Sequence, residues 1–524
     1  MDWTAGYASD VEYVTGFYRE QGPTWLNTAC LINGYEPLPP NQSYTYFELG
    51  FGRGLTAQLL AAANPHGRFF ANDFNPSHVA GAARLSAAAG IDNLTLLEHS
   101  FEDLAQGRAD LPQFDYITMH GVYTWVSAEN RQHIIAFIGR YLKPGGIVYV
   151  SYNAMPGWAA ALPLQRLLVE CRGQFPSGSD QQIAGANLLV EALANTQAVY
   201  LAQNPTLEAR IHSLRTANPN YLAHEYLHPH WQPLYHADVA RDMASAKLGF
   251  AGSADLPLAY PELYLDAGRQ ELLAQINSPE MRETLKDYFL NASFRKDVFV
   301  RGASRIGPQR QAELFNTIGL VLMVPRASAS ADIQLHVGQF RGPRVCYDAV
   351  LDAIALRPHT LAELHKLPAL ASLDLHELGE IGVLLCASNQ AEFYWTADDS
   401  AQQARQASAR RLNDVLAAQV RYGDEYAALC SPLLRSGVNA SVIERLFYQA
   451  VTQAGGAADP GALARHAWQT MAPIRRALHR SGAAQPSDLD SLPAMKQLAQ
   501  KFVDEKLPVW RHLQIVGADP AAQA

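Results

Sequence analysis

Between residues 44 and 153 the apolar positions fall into short runs separated by stretches with helical spacing. The runs 44–47, 68–72, 94–98, 114–119 and 147–152 are rich in β-branched and aromatic residues, as strands buried on both faces of a sheet are. The stretches between them favour helix. Residues 55–62 are strong helix formers, 76–89 opens on the cap pair Asn75-Pro76 and stops at Gly90, and 128–141 follows the N-cap candidate Ser127. Lys143-Pro144-Gly145-Gly146 should end that last helix. Strand and helix in alternation predict an α/β fold with a parallel sheet covered on both faces.

Outside this block the pattern changes. Residues 1–42 open with Val11, Val14 and Tyr18 on one helical face, broken at Gly22-Pro23 and followed by the rigid stretch 37–40. They are read as an N-terminal helical lid, with Tyr7 and Tyr13 as its contacts to a ligand, or as a helix packed on the sheet edge. Residues 43–160 form the α/β domain. In 161–217 two helical stretches, 162–171 and 180–203, flank the break Pro176-Ser177-Gly178-Ser179, and they suit a helical insertion or a dimerisation region. Residues 218–326 make a middle domain whose charged strand-like end, 294–301, reads as a solvated edge. In 327–400, helices at 346–356, 360–367 and 375–387 precede a strand at 392–395, a winged-helix-like order. Its third helix carries His376, Glu377 and Glu380, which would repel phosphate and suit protein contact. Residues 401–524 are helical, with periodic segments at 414–429 and 442–452 and a tail, from Val516, expected to be disordered.

Composition narrows the functional classes. Of 524 residues 48% are hydrophobic and 17% charged, with net charge -9, so there is no basic footprint for nucleic acid or for a membrane surface. Apolar runs fall short of the roughly 20 residues needed to span a bilayer, and residues 1–7 lack a signal-peptide pattern. Five scattered cysteines without C-x-x-C spacing fit a reducing, cytoplasmic setting.

The chemistry starts at Glu48-Leu49-Gly50-Phe51-Gly52-Arg53-Gly54, directly after the first strand. A backbone that turns sharply and lets a ligand approach closely cannot carry a Cβ, so glycine is required. The turn leads into a helix N-terminus. Leu55 stands where a dinucleotide fingerprint would want a small residue, and Asp73, nineteen residues after Gly54, closes the second strand where a carboxylate can accept both ribose hydroxyls. Glu48 suits a ligand with a positively charged amino-acid end. In open α/β sheets ligands lie beyond the carboxyl ends of the strands, which adds Phe74, Ser100 and Phe101, residues 120–125 and residues 151–153.

These residues together resemble the S-adenosyl-L-methionine site of class I methyltransferases. Leu142-Lys143-Pro144-Gly145-Gly146 before the fifth strand and Phe114-Asp115-Tyr116-Ile117 at the fourth strengthen the likeness. The stretches His120-Gly121-Val122-Tyr123-Thr124-Trp125-Val126 and Val150-Ser151-Tyr152-Asn153-Ala154-Met155-Pro156-Gly157-Trp158 resemble bacterial methyltransferases with a methyltransferase regulatory domain, a group that includes rickettsial protein lysine methyltransferases. Phe51 departs from the cysteine common in that turn, at a position that contributes backbone. The resemblance implies a Rossmann-like, mostly parallel seven-stranded sheet followed by mostly helical domains. It implies S-adenosyl-L-methionine as cofactor, held by Glu48, Gly50, Gly52, Gly54, Asp73, Phe74, Ser100, Phe101 and His120.

For the reaction, aromatic faces suit a sulfonium, and Tyr123, Trp125, Tyr152 and Trp158 follow the fourth and fifth strands. His120, Tyr123, Trp125, Tyr152 and Asn153 are the candidate catalytic residues, with His120 able to assist proton removal or to fix its loop. Two acceptor classes stay open, a protein lysine and a small molecule, and a non-enzymatic cofactor-binding scaffold is the third reading. His224-Glu225-Tyr226-Leu227-His228 satisfies H-E-x-x-H, the pattern of a helical zinc site. Pro229 disfavours helix at His228, and no third ligand stands out. This stretch is read as a histidine-rich cap on the active site, with no metal, and with His224 and Tyr226 as substrate-side candidates.

Overall fold

The computed structural model describes residues 15–39, 41–171, 174, 178–217, 219–396, 401–472 and 491–517. Its centre is a seven-stranded sheet: β1 Thr45–Leu49, β2 Arg68–Asn72, β3 Leu94–Leu97, β4 Phe114–Met119, β5 Leu142–Asn153, β6 Leu248–Ser253 and β7 Phe294–Arg301. The order is β3-β2-β1-β4-β5-β7-β6. β1 to β5 run parallel, while β7 is antiparallel to both β5 and β6. The strand order reverses between β1 and β4, which opens a crevice at their carboxyl ends.

The pleat sorts side chains by face. Phe47 and Leu49 of β1 join Ile117, Val148 and Phe299 under helices Ala128–Tyr141 and His236–Ser245. Tyr46 joins Phe69, Tyr116, Tyr149 and Val298 on the other face, in a core that continues through residues 318–516. Glu48 lies on the Tyr46 face and is buried there.

Several expectations are revised. The charged segment 294–301 is no solvated edge. It is interior strand β7, with Arg295, Asp297, Val298, Phe299 and Val300 buried, because Arg295 and Asp297 pair with each other and with Glu283, Asp287 and His236 of neighbouring helices. β6 and β7 therefore complete the α/β sheet from within 218–326. Gly22-Pro23 does not merely break a helix: Pro23 is the first residue of helix Pro23–Ile32, all ten residues of which are buried, since proline's missing N–H costs nothing at N1. Tyr18 is extended, with φ -123° and ψ 94°, so the helical face drawn through it stops short; Tyr7 and Tyr13 lie outside the described residues. Helix Ala128–Tyr141 ends as expected, but β5 begins at Leu142, opposite Phe114.

The helix expected over 414–429 is instead Gln402–Gln419, followed by the hairpin Ala428–Ser431 and Ser436–Asn439. Asn413 holds that hairpin, its side chain accepting from Cys430 N and donating to Cys430 O. The stretch 180–203 divides into helices Ser179–Asn195 and Val199–Ala202. In 327–400 the helices are Arg344–Leu356, Leu361–Leu364 and Leu375–Ala387, and strands His359–Thr360 and Ala391–Trp395 flank Ile318–Leu322 in one antiparallel sheet. That central strand comes from before residue 327. Val516 is buried rather than disordered; residues 518–524 lie outside the described ones.

Helix Pro23–Ile32 ties these parts together. Trp25 Nε1 donates to Ala254 O just past β6, and Trp395 Nε1 donates to Thr28 Oγ1. The insertion packs separately: Leu164, Leu168, Ile183, Val190 and Leu214 surround Trp158, Tyr226 and Trp231. This small core sits against the carboxyl ends of β4 and β5, joined by the backbone pairs Gln232 N to Thr124 O and Leu234 N to Asn153 O. No helix among the described residues is long and apolar enough to cross a membrane.

Candidate active site

A cavity of about 250 Å³ lies at the carboxyl ends of β1 to β4. Gly50 and Gly52 form its floor, and Asn72, Asp73 and Phe74 follow from β2. His99, Ser100 and Phe101 come from the end of β3, and His120, Gly121, Val122 and Trp125 from the end of β4. The outer wall is His224, Glu225, His228 and His230. Of the residues expected from the sequence, Gly50, Gly52, Asp73, Phe74, Ser100, Phe101, His120 and Trp125 are brought together here.

The glycine turn needs its glycines. Gly50, Gly52 and Gly54 have φ of +69°, +58° and +80°, where a side chain is strained. A Cβ on Gly50 would lie 2.6 Å from Val122 Cγ2, and one on Gly54 would lie 3.0 Å from Ala82 Cβ. Gly54 thus serves helix packing. Asp73 secures the turn, accepting from Gly52 N at 2.8 Å and Asn75 N at 2.9 Å, with His78 Nδ1 at 3.2 Å. Ser100 caps helix Phe101–Gln106 in a capping box with Asp103, and Asn72 fixes the His99 backbone through both its N–H and its C=O.

Other expected residues stand elsewhere. Glu48 lies behind the wall, where Gln21 Nε2 donates to its Oε1 at 3.1 Å and its Oε2 is buried without a partner. Burial pushes its carboxyl up to about 8, against the Gln21 hydrogen bond and with help from Asp73. Tyr123 and Tyr152 are buried below the cavity, their hydroxyls donating to Asp242 and Asp297. Trp158 is in the insertion core, donating to Ser293 O beneath Arg210, whose guanidinium is 3.5 Å from the ring centre. Asn153 is buried at the end of β5. Period-two alternation explains Glu48, Tyr152 and Asn153, since residues at a strand end share a height but not a face; Tyr123 and Trp158 lie in turns beyond β4 and β5.

Around His120 the aromatic partners are Tyr18, stacked on it at 3.7 Å, and Tyr149, whose hydroxyl is 2.9 Å from Nδ1. Sequence gave no sign of either, because residue 18 is distant in the chain and residue 149 lies mid-strand. Asn72 and Glu225 were also missed as lining residues. Asn72 is legible as a strand end, and Glu225 stands inside the H-E-x-x-H stretch, which reads as a histidine-rich cap on the active site without a role for this carboxylate. Helix Pro219–Tyr226 ends before His228, and among the described residues no three His, Cys, Asp or Glu side chains gather as a metal would need.

Residues 47–148 match a family model described as a methyltransferase domain, and residues 218–301 match the predicted methyltransferase regulatory domain. A Synechocystis protein, sll1526, is 32% identical over 515 residues, covering 98% of this chain and all of that protein. The chain belongs to the methyltransferases that carry this regulatory domain. The methyltransferase also matches the Rickettsia prowazekii protein RP028, 28% identical over 42% of this chain and 86% of that one. Its fold is that of PKMT2 from Rickettsia typhi, solved in complex with AdoHcy, with TM-score 0.68 and 17% identity over 96% of this chain and 99% of that one.

The cofactor of this enzyme is S-adenosylmethionine. The site fits it: the Gly50 cradle leaves backbone facing the cavity, and the unpartnered Oε2 of Glu48 is a buried acceptor close behind it. The regulatory-domain match spans β6 and β7, so that region is structurally part of the methyltransferase sheet.

Proposed function

We propose that this methyltransferase N-methylates lysine side chains of a protein substrate in the cytoplasm. The observation that carries the reading is the cavity's outer wall. It is built from 224–230 and supported by the insertion, so the parts added to the α/β domain form the acceptor side. The full-length likeness in fold to PKMT2 and the likeness of residues 120–126 and 150–158 to rickettsial protein lysine methyltransferases support it. Five free cysteines, four of them buried, agree with a reducing compartment.

In this reading Gly50 and Gly52 bring backbone to the cofactor, Asp73 and Phe74 hold its ribose, and Ser100 and Phe101 edge its adenine. Glu48 answers its ammonium. When bound, the cofactor supplies an electrophilic methyl group on a sulfonium. Trp125 excludes water beside it, and Trp125 Nε1 donates to His224 O at 3.2 Å, which holds the β4 loop against the outer wall. Orientation and dehydration are the main contributions such a site can make.

The test is incubation of a lysate with the enzyme and radiolabelled cofactor, followed by acid precipitation and product mass spectrometry. Label on lysine in precipitated protein is expected. Label confined to the soluble fraction would instead establish a small-molecule acceptor enclosed by the same wall.

A further inference from the structure

Two carboxylates line the cavity among the described residues, Asp73 and Glu225. Asp73 is committed to Gly52, Asn75 and His78. Glu225 stands opposite, on helix Pro219–Tyr226, whose next residue Tyr226 is anchored in the insertion core. Arg210, from helix Glu208–Thr216, and Asn153, from the end of β5, lie near its carboxyl. His224, His228 and His230 share its wall, and His120 lines the same cavity from β4. A carboxylate carried on the acceptor-side wall, beside the end of β5, is placed for a cation that enters from that side.

We propose that Glu225 is the acceptor-binding group: it pairs with the ammonium of an amine substrate and takes its proton before methyl transfer. This rests on the reading of the enzyme as an amine methyltransferase and names the residue that makes it one. The proton balance is simple. One N–H bond of the ammonium breaks, its electron pair stays on nitrogen, and the proton goes to a Glu225 carboxylate oxygen. The neutral amine then bonds to the methyl carbon as the C–S bond breaks, its electron pair going to sulfur. The product leaves as a methylated ammonium, and Glu225 returns its proton to solvent.

The electrostatics agree. Burial pushes the Glu225 carboxyl up to about 7, while Arg210 and Asn153 pull it down. A group poised near neutral pH both accepts and releases a proton readily. His120, which burial holds at about 4, is a much poorer acceptor. The amine's own affinity for its proton falls as it leaves water, which narrows the difference between the two. A carboxylate acceptor would be repelled from Glu225, and a hydroxyl would bring no charge to pair with it.

Titration calorimetry of the AdoHcy-loaded protein with n-butylammonium chloride tests this without turnover. Glu225→Gln should weaken n-butylammonium at least tenfold and leave AdoHcy affinity unchanged. Wild-type affinity should rise between pH 6 and 8 as Glu225 ionises; the slope left in the variant belongs to the three wall histidines. In transfer assays the deficit of the variant should shrink toward pH 9.5, where the amine sheds its proton unaided. Equal n-butylammonium binding by Glu225→Gln, no binding by the wild type, or a parallel loss of AdoHcy affinity would overturn the proposal. Should the variant fail to fold, a flat wild-type profile between pH 6 and 8 would do the same. If label goes only to small amines while calorimetry still depends on Glu225, the lysine reading fails and this one stands.

Discussion

The ring of Tyr18 stacks on the imidazole of His120, centroids 3.7 Å apart and planes 19° from parallel. Residues before the first strand thus cover the end of β4. Burial, the largest influence, pushes His120 down to about 4, with Glu20 opposing and Lys296 reinforcing. Its folded value lies below the ordinary 6.5, so between pH 6.5 and 4 the unfolded chain binds more protons and stability falls as pH falls. Tyr18→Ala should admit water and raise the His120 value by about one unit or more. NMR titration of labelled histidine reads this directly; an unchanged value would show that the stack does not exclude water.

Gly50 faces Val122 at a distance that admits no side chain. Alanine there would meet Val122 Cγ2 at 2.6 Å and would hold a left-handed conformation costing about 1–2 kcal/mol. Gly50→Ala should therefore reduce AdoHcy affinity about tenfold or more. Adding Val122→Ala removes the clash but not the backbone strain, so calorimetry of the double variant should show partial recovery. Full recovery would mean the backbone tolerates φ of +69° without strain.

Much of this was legible in the sequence where one local rule decides. The strands β1 to β4, the turn Gly50 to Gly54, and the caps at Asn75 and Ser127 each follow from nearby residues. What failed was non-local. Arg295 and Asp297 read as surface charges because their partners, Asp287, Glu283 and His236, come from other elements. Tyr152 reads as a site residue because position along a strand fixes height, and only pairing with β7 fixes direction; Tyr123, in the turn after β4, is drawn inward by Asp242 of helix His236–Ser245. The hairpin after Gln419 was hidden because Ala428-Leu429-Cys430-Ser431 has no strong preference of its own.

Asp73 has two roles that can be separated. Its carboxylate accepts from Gly52 N and Asn75 N, and losing both bonds should cost about 1–3 kcal/mol. Asp73→Ala should lower the melting temperature modestly and weaken AdoHcy binding strongly. Asp73→Asn retains an acceptor oxygen, so it should recover most of the stability and less of the affinity. Unchanged AdoHcy affinity in both variants would refute the placement of the ribose beside Asp73.

Asp297 is the centre of a buried polar cluster joining β5, β7 and helix His236–Ser245. Tyr152 Oη donates to it at 2.6 Å, His236 Nδ1 lies at 2.9 Å, and Arg295 Nε donates at 3.0 Å. Arg295 also reaches Asp287 at 2.6 Å and Glu283 at 3.0 Å. Burial alone would raise the Asp297 carboxyl; Arg295 and His236 outweigh it and hold the group at about 2. Its folded value is below the ordinary one of about 3.9, so its contribution is present above that pH and is lost as pH falls through 2. Removing one partner of a buried ion pair costs about 3–5 kcal/mol, and Asp297→Asn should do so in thermal unfolding while leaving AdoHcy affinity unchanged below the transition. Arg295→Met should cost at least as much, because it strands Asp297, Asp287 and Glu283 together. The double variant should be less destabilised than the sum of the two, since the residues answer one another's charge; strict additivity would mean that they act independently.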